Sequence, residues 1–334
     1  MPAPKTPKKI VYLFGAGSTH AELINFESKD SGDAVFLKEQ GLLMRQVSER
    51  VIAKARRNSN YLKDIEMVSA AKGSLNIELL ISLIENSKIP DSTRKTSILK
   101  DLVTKDITGI LTRSRLRSFY LHKALLELHN KTTDREKLLG LISLNYDGVL
   151  DAACKTIYRT RPHYYFSSNE NSEIPLLKLH GSFNWKNVRI RGRVRNIEII
   201  PLGVNKNYVH LPYNLIWSRA LEVLIECDIL RVIGCSLSPN DIHLIDLLFK
   251  AHLERGNAFE IQIIGPEKTG QEIKEHYGFF PEIKTLTNIE PPLIPDQSSN
   301  DVGNAFKLWL KYKSLKMLNR NELKATKYLK RTSA

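Results

Sequence analysis

The chain has 334 residues, 42% hydrophobic and 26% charged, a balance that supports a full buried core and excludes a disordered or fibrous polypeptide. The net charge of +14 is uneven: residues 1–9 carry +3 and residues 301–334 carry +7, leaving +4 for a body that therefore does not read as a nucleic-acid grip. The three cysteines, Cys154, Cys227 and Cys235, form no C-x-x-C pair, which argues against a disulfide framework and a cysteine-rich zinc site.

The N-terminal MPAPKTPKK is charged but has no apolar segment behind it, so it is not read as a secretory signal. No apolar run approaches the roughly 20 residues of a membrane span, and a cytoplasmic protein is expected. Ile10–Phe14 is a continuous apolar run of the kind found in a central parallel strand buried on both faces. It leads directly into Gly15, Ala16, Gly17 and Ser18, then Thr19-His20-Ala21-Glu22-Leu23. Strand, glycine turn and helix start together present backbone N–H groups and a helix dipole to phosphate. The dinucleotide fingerprint is incomplete, because His20 stands where the third glycine belongs. Asp30 and Asp33 end no second strand that could place a carboxylate on a ribose. A plain tight turn is the alternative.

From about Phe36 to Asn130 the pattern is helical. Leu43, Val47 and Val51 recur at helical spacing ahead of an exposed run, Lys54-Ala55-Arg56-Arg57. Asn76 is placed to cap a helix Ile77–Glu85 with an apolar stripe of Leu79, Leu80, Leu83 and Ile84. This segment reads as a helical insertion between the first strand and the rest of a sheet. A second buried strand, Leu139–Leu144, ends in Asn145-Tyr146-Asp147-Gly148. Asn145 carries both an amide donor and an acceptor, suited to holding a hydroxyl or a water. Asp147 equally suits an Asx turn opening the helix Val149–Ile157.

Leu176–Leu179 is a short apolar strand that stops at His180-Gly181-Ser182. A histidine there faces the crevice where open α/β sheets bind ligands, and its ordinary pKa of about 6.5 makes it a base at neutral pH. A core histidine before a turn is the alternative. The alternating arginines of Lys186–Arg195 suggest a β-ribbon with a basic face, either a charged edge that resists pairing or a partner contact. A helix around Trp217–Leu224 precedes the strand Ile229–Ile233, which ends in Gly234-Cys235-Ser236-Leu237-Ser238, before a helix Ile242–Leu253 and a last strand Phe259–Ile264.

Four strand ends thus present G-A-G-S, N-Y-D, H-G-S and G-C-S-L-S in that order. Over roughly residues 10–270 this resembles the sirtuin-like family of NAD-consuming Rossmann domains, and within it the bacterial and archaeal NADases of anti-phage defence. The N-I-E-L-L stretch around Glu78 fits the family's helical insertion. The resemblance implies an α/β fold with a Rossmann-like parallel sheet. Residues 1–35 and 131–298 would form the NAD-binding catalytic domain, 36–130 the insertion and 299–334 a basic helical tail. It implies that Gly15, Ala16, Gly17 and Ser18 bind the NAD pyrophosphate, and that Asn145 and His180 are catalytic. Asp147 would support the nicotinamide ribose, and Gly234 and Ser236 would contact the adenosine half. Two departures separate the chain from sirtuin deacylases: it lacks their four-cysteine zinc module, so no zinc is expected, and their G-I-P-D-F-R-like loop is replaced by His20-Ala21-Glu22.

The residue types suit that chemistry independently. Nicotinamide leaves NAD+ as a neutral molecule, so no acid is needed for it. A base that activates water or a ribose hydroxyl, and a polar group that orients it, are needed. NAD+ is then a substrate, and the product pair is nicotinamide and ADP-ribose. A non-catalytic subunit that senses NAD or a derived nucleotide within a nucleic-acid complex is the alternative. Because uncontrolled NAD loss is toxic, a homo-oligomer is expected, with a second defence component such as a nucleic-acid translocase ATPase or a nucleic-acid-guided sensor. The tail, with Phe306, Trp309 and Leu310 among lysines behind a cap at Asn300 or Asp301, is either docked on its own core or offered to a protein or nucleic-acid partner.

Overall fold

The computed structural model describes residues 6–27, 41–57, 76–86, 90–113, 120–131, 136–159, 162–166, 174–185, 187–190, 193–197, 199, 208–238, 241–255, 259–264, 267–278, 280 and 283–286. The tail 299–334 and its cap, Asp30, Asp33, Arg191, Gly192 and the 265–266 turn lie outside the described residues. The described strands are β1 (Lys8–Phe14), β2 (Glu136–Ser143), β3 (Leu176–Lys178), β4 (Val188–Ile190), β5 (Arg193–Arg195), β6 (Ile229–Ile233), β7 (Glu260–Ile264) and β8 (Ile283–Leu286). The helices are α1 (Ala16–Glu27), α2 (Met44–Arg56), α3 (Ile77–Glu85), α4 (Ser92–Arg113), α5 (Tyr120–Lys131), α6 (Val149–Tyr158), α7 (Tyr213–Glu226), α8 (Ile242–Arg255) and α9 (Glu267–His276).

Six strands form one parallel sheet in the order β3-β2-β1-β6-β7-β8, while β4 and β5 pair as a separate antiparallel ribbon. Counted within the sheet alone, this is the doubly wound 3-2-1-4-5-6 order of dinucleotide-binding folds, with its switch point between β1 and β6. The sequence-predicted α/β Rossmann-like class is therefore the observed one. Alternation along β1 explains both layers. Val11 and Leu13 face a core with α7, α8 and α9, through Ala220, Leu248 and Ile273. Ile10, Tyr12 and Phe14 face the opposite core with α1, α5 and α6, through Ala21, Leu125 and Ala153.

Strand β2 is not regular. Ile10 is partnered by Leu138 but Val11 by Gly140, so Leu139 is an extra residue, a β-bulge. Across mid-sheet runs a buried polar network. Arg231, 1% exposed, forks onto both Glu136 oxygens at 2.8 and 2.6 Å and also donates to Tyr12 Oη (2.8 Å) and Gln262 Oε1 (2.9 Å). His129 of α5 lies 2.8 Å from the same Tyr12 oxygen, and burial followed by the Arg231 charge holds its imidazole down at about 3.

Helices α2, α3 and α4 share their own core of Val47, Val51, Leu80, Ile84, Leu99 and Val103, which also takes in Tyr146 from the end of β2. Helix α5 packs on the sheet instead. Asp106 of α4 is held by Arg50 (2.7 Å) and Lys54 (2.8 Å) of α2. Helix α3 has the bounds read from sequence, and Asn76 caps it by accepting from the Glu78 N–H at 2.8 Å. Its buried stripe differs from the expected one: Ile77, Leu80, Ile81 and Ile84 face inward and Leu83 is 41% exposed. With leucines or isoleucines at six of nine positions, composition does not fix the phase. The run 54–57 is likewise not all exposed, since Ala55 is buried and Lys54 is paired.

Candidate active site

The glycine turn sits at the switch point and is locked to the end of β6. Gly15 N–H donates to Ile233 O at 3.0 Å and Gly17 N–H to Gly234 O at 2.8 Å. Gly234 has φ +61°, and a Cβ there would fall 2.1 Å from Ser18 N, so this contact demands glycine on steric and conformational grounds. Ser18 donates its N–H and its hydroxyl to Gly15 O (3.0 and 2.8 Å). Ala16 is exposed at the start of α1, and Ser236 is exposed beyond β6.

Asn145, two residues past β2, ties that strand end to the turn. Its amide nitrogen donates to Gly15 O (2.9 Å) and Thr19 Oγ1 (3.1 Å), with Ser18 Oγ at 3.4 Å. Its amide oxygen enters none of these bonds. Asp147 accepts from Thr19 Oγ1 at 2.9 Å and from the Val149 N–H at 2.9 Å. The second bond is the Asx turn that opens α6, so Asp147 fixes two elements at once.

His180 lies just past β3, 7% exposed, in a turn that requires Gly181: at φ +85° a Cβ would meet Tyr213 Oη at 2.3 Å. The ring's Nε2 is 3.5 Å from Asp241 Oδ2, and the two side chains are 8% and 13% exposed. The β2 and β3 ends are stitched together here. Phe183 N–H donates to Tyr146 O (2.9 Å), the Ser182 hydroxyl donates to the same oxygen (3.2 Å), and the Tyr146 ring lies 6.0 Å from His180 and 5.5 Å from Phe183. Burial pushes the Tyr146 phenol well above its ordinary range, and Glu78, Asp241 and Tyr213 act in the same direction. Burial also raises Tyr208, where Asp241, Tyr146, Tyr213 and Glu78 add to it. These groups therefore share one electrostatic neighbourhood, with Glu78 reaching it from α3.

Beneath this cluster Lys178, 1% exposed, pairs with Asp151 Oδ2 (2.9 Å) and donates to the Asp147 carbonyl. Asp151 accepts in turn from Tyr164 Oη at 2.6 Å. The structure thus brings Gly15, Gly17, Ser18, Asn145, Asp147 and Gly234 into one bonded or packed assembly, and links His180 to it through Tyr146. Sequence reasoning assigned no role to Asp241, Lys178 or Asp151. A lysine inside the apolar run Leu176–Leu179 was the available signal for Lys178. Asp241 carried none beyond standing at a helix start.

Among the described residues no group of three or more His, Cys, Asp or Glu is placed to hold a metal. Cys154 and Cys227 are buried in opposite layers of the sheet, and Cys235 is half-buried beyond β6. No described helix is long and apolar enough to cross a membrane.

No protein-family model matches the chain, and no curated protein does. Among solved structures, the chain is similar to a mutant Sir2 homologue in complex with ADP-ribose, at 17% identity and TM-score 0.32, covering 93% of this chain and 95% of that one. A triple mutant bound to 2′-O-acetyl ADP-ribose is 16% identical at TM-score 0.35, with coverage of 93% and 95%. A Sir2 homologue–NAD complex is 14% identical at TM-score 0.31, with coverage of 92% and 91%.

Proposed function

We propose that the protein binds NAD+ as a substrate and hydrolyses it to nicotinamide and ADP-ribose. The observation that carries this reading is the placement of Asn145 and His180 just beyond adjacent strands β2 and β3, beside a glycine turn at the switch point of a doubly wound sheet. In this scheme the bond between ribose C1′ and the nicotinamide nitrogen breaks, and its electron pair leaves with nicotinamide. Water attacks C1′ while His180 takes its proton. With its amide nitrogen committed to Gly15 and Thr19, Asn145 contributes its carbonyl oxygen, an acceptor that orients the attacking water. Gly15, Ala16, Gly17 and Ser18 lie along the pyrophosphate, Asp147 supports the nicotinamide ribose by fixing Thr19 and α6, and Gly234 and Ser236 stand on the adenosine side.

No zinc takes part in this reading. The division proposed with this reading is 1–35 and 131–298 catalytic, 36–130 the insertion, of which α5 packs on the sheet, and 299–334 the tail. The proposed setting is anti-phage defence, with the protein as an NAD-depleting effector, a homo-oligomer controlled by a second component.

The test is free nicotinamide released from NAD+ by the full chain, with His180→Ala and Asn145→Ala alongside and folding checked by circular dichroism. Release that both variants abolish supports hydrolysis. Saturable NAD+ binding without release would make the protein a nucleotide-sensing subunit. Stoichiometric zinc, or deacylation of an acetyl-lysine peptide in step with NAD+ loss, would overturn the choice of subfamily.

A further inference from the structure

We propose that Asp241 is the positioning residue of His180, holding the ring by its Nε2 edge and leaving Nδ1 as the edge that accepts the proton. This rests on the reading of His180 as the base. The two groups come from different halves of the sheet: His180 follows β3 at one edge, and Asp241 follows β6 across the switch point. Yet Nε2 and Oδ2 are 3.5 Å apart, an ion-pair distance, and both side chains are nearly withdrawn from water.

Asp241 is held in place from both sides. Its N–H donates to Ser238 O at 3.0 Å and its carbonyl accepts from the Ile245 N–H at 3.1 Å, which puts it at the N-cap of α8. Leu237, just beyond β6, is fully buried and held at φ +45°, a conformation an L-leucine rarely adopts. The partial positive charge of the α8 N-terminus favours the ionised carboxylate.

A neutral imidazole has one N–H and one lone pair, and the partner of the first decides where the second points. With Asp241 accepting from Nε2–H, the lone pair is on Nδ1. As the C1′–nitrogen bond breaks and the water oxygen bonds to C1′, the water proton passes to Nδ1. The imidazolium so formed is stabilised by the Asp241 charge until the proton is lost to solvent. Among the described residues the Tyr146 ring lies 6.0 Å from that of His180, Tyr213 and Glu78 act on Tyr146 and Tyr208 in the same neighbourhood, and the Lys178–Asp151 pair lies on the strand side. Asp241 stands at ion-pair distance from the ring.

The experiment is an NMR titration of the His180 ring in the full chain, assigned by its loss in His180→Gln. Wild type is compared with Asp241→Asn, Asp241→Ser and Asp241→Glu. Asn and Ser cap helices as well as Asp does, so these variants keep α8. The carboxylate stabilises the imidazolium, so its removal should lower the His180 pKa by about one unit or more, and Asp241→Glu should restore most of it. The acid limb of kcat/KM for nicotinamide release should move by the same amount. A His180 titration unchanged in the folded Asn and Ser variants overturns the pairing. If wild type releases no nicotinamide, the ring titration still decides the pairing, and the hydrolase reading alone falls.

Discussion

The Arg231 network in mid-sheet and the His180 cluster at the strand ends are both buried, and both draw charged groups from separate strands, but their bonding differs. Around Arg231 the partners are close: a two-pronged pair with Glu136 at 2.6 and 2.8 Å, with Tyr12 and Gln262 completing the fork. Around His180 the nearest carboxylate stands off at 3.5 Å, and the surroundings are phenols and a second acid. The first arrangement spends its polar capacity on pairing β2, β1, β6 and β7 in one register. The second holds a nearly buried imidazole at the strand ends with Asp241 at ion-pair distance.

The sharpest way to break this contrast is Arg231→Met. It strands Glu136 without its partner in the core, and loss of about 3–5 kcal/mol is expected in guanidinium unfolding. A loss below about 1 kcal/mol would mean water reaches Glu136 and the network is not a stability element.

His180→Ala should do the reverse. Nicotinamide release should fall by about 10²–10⁴-fold, while the unfolding midpoint stays close to that of wild type. Equal damage to folding and turnover would erase the distinction between the two regions.

A pH series separates them more finely. Burial holds His129 at about 3, and burial with the Arg50 charge holds His20 at about 4, both below the ordinary histidine value. The unfolded chain therefore binds these protons more readily. Stability is full above about pH 6.5 and falls on acidification towards about pH 4, by up to about 1.4 kcal/mol per pH unit for each ring. Urea midpoints across that range should flatten in His129→Gln; a slope unchanged by that substitution would dissociate the mid-sheet histidine from acid sensitivity. The smallest effect belongs to Leu83→Ser, expected within about 0.5 kcal/mol of wild type because Leu83 faces solvent. Leu80→Ala on the same helix should cost about 2–5 kcal/mol.

Much of the fold could be read from the chain because its strands are continuous apolar runs and its helix α3 is announced by Asn76. That β1 and β6 are neighbours shows in the interlock of the glycine turn with Gly234, a contact between segments more than 200 residues apart. What stayed hidden depends on contacts between distant segments. Arg231 interrupts the apolar run of β6, but its partner Glu136 is 95 residues away and no local pattern pairs the two. Asp241 looks like any helix cap until β3 and β6 are placed on either side of the switch point. Asn145 was singled out for holding a hydroxyl, and the structure spends its amide nitrogen on the glycine turn, which no local pattern foretells.

The extra residue in β2 sets a phase between the two regions. Glu136 lies ahead of Leu139 and is fastened to Arg231; Asn145 lies beyond it and is fastened to the glycine turn. With a side-chain period of two, an inserted residue exchanges inward and outward for everything past it. Shortening β2 by Leu139 alone would leave one anchorage in frame and throw the other out, whichever end held. The strand therefore acts as a ruler, and a single-residue change in its middle reaches the site without touching any residue that lines it.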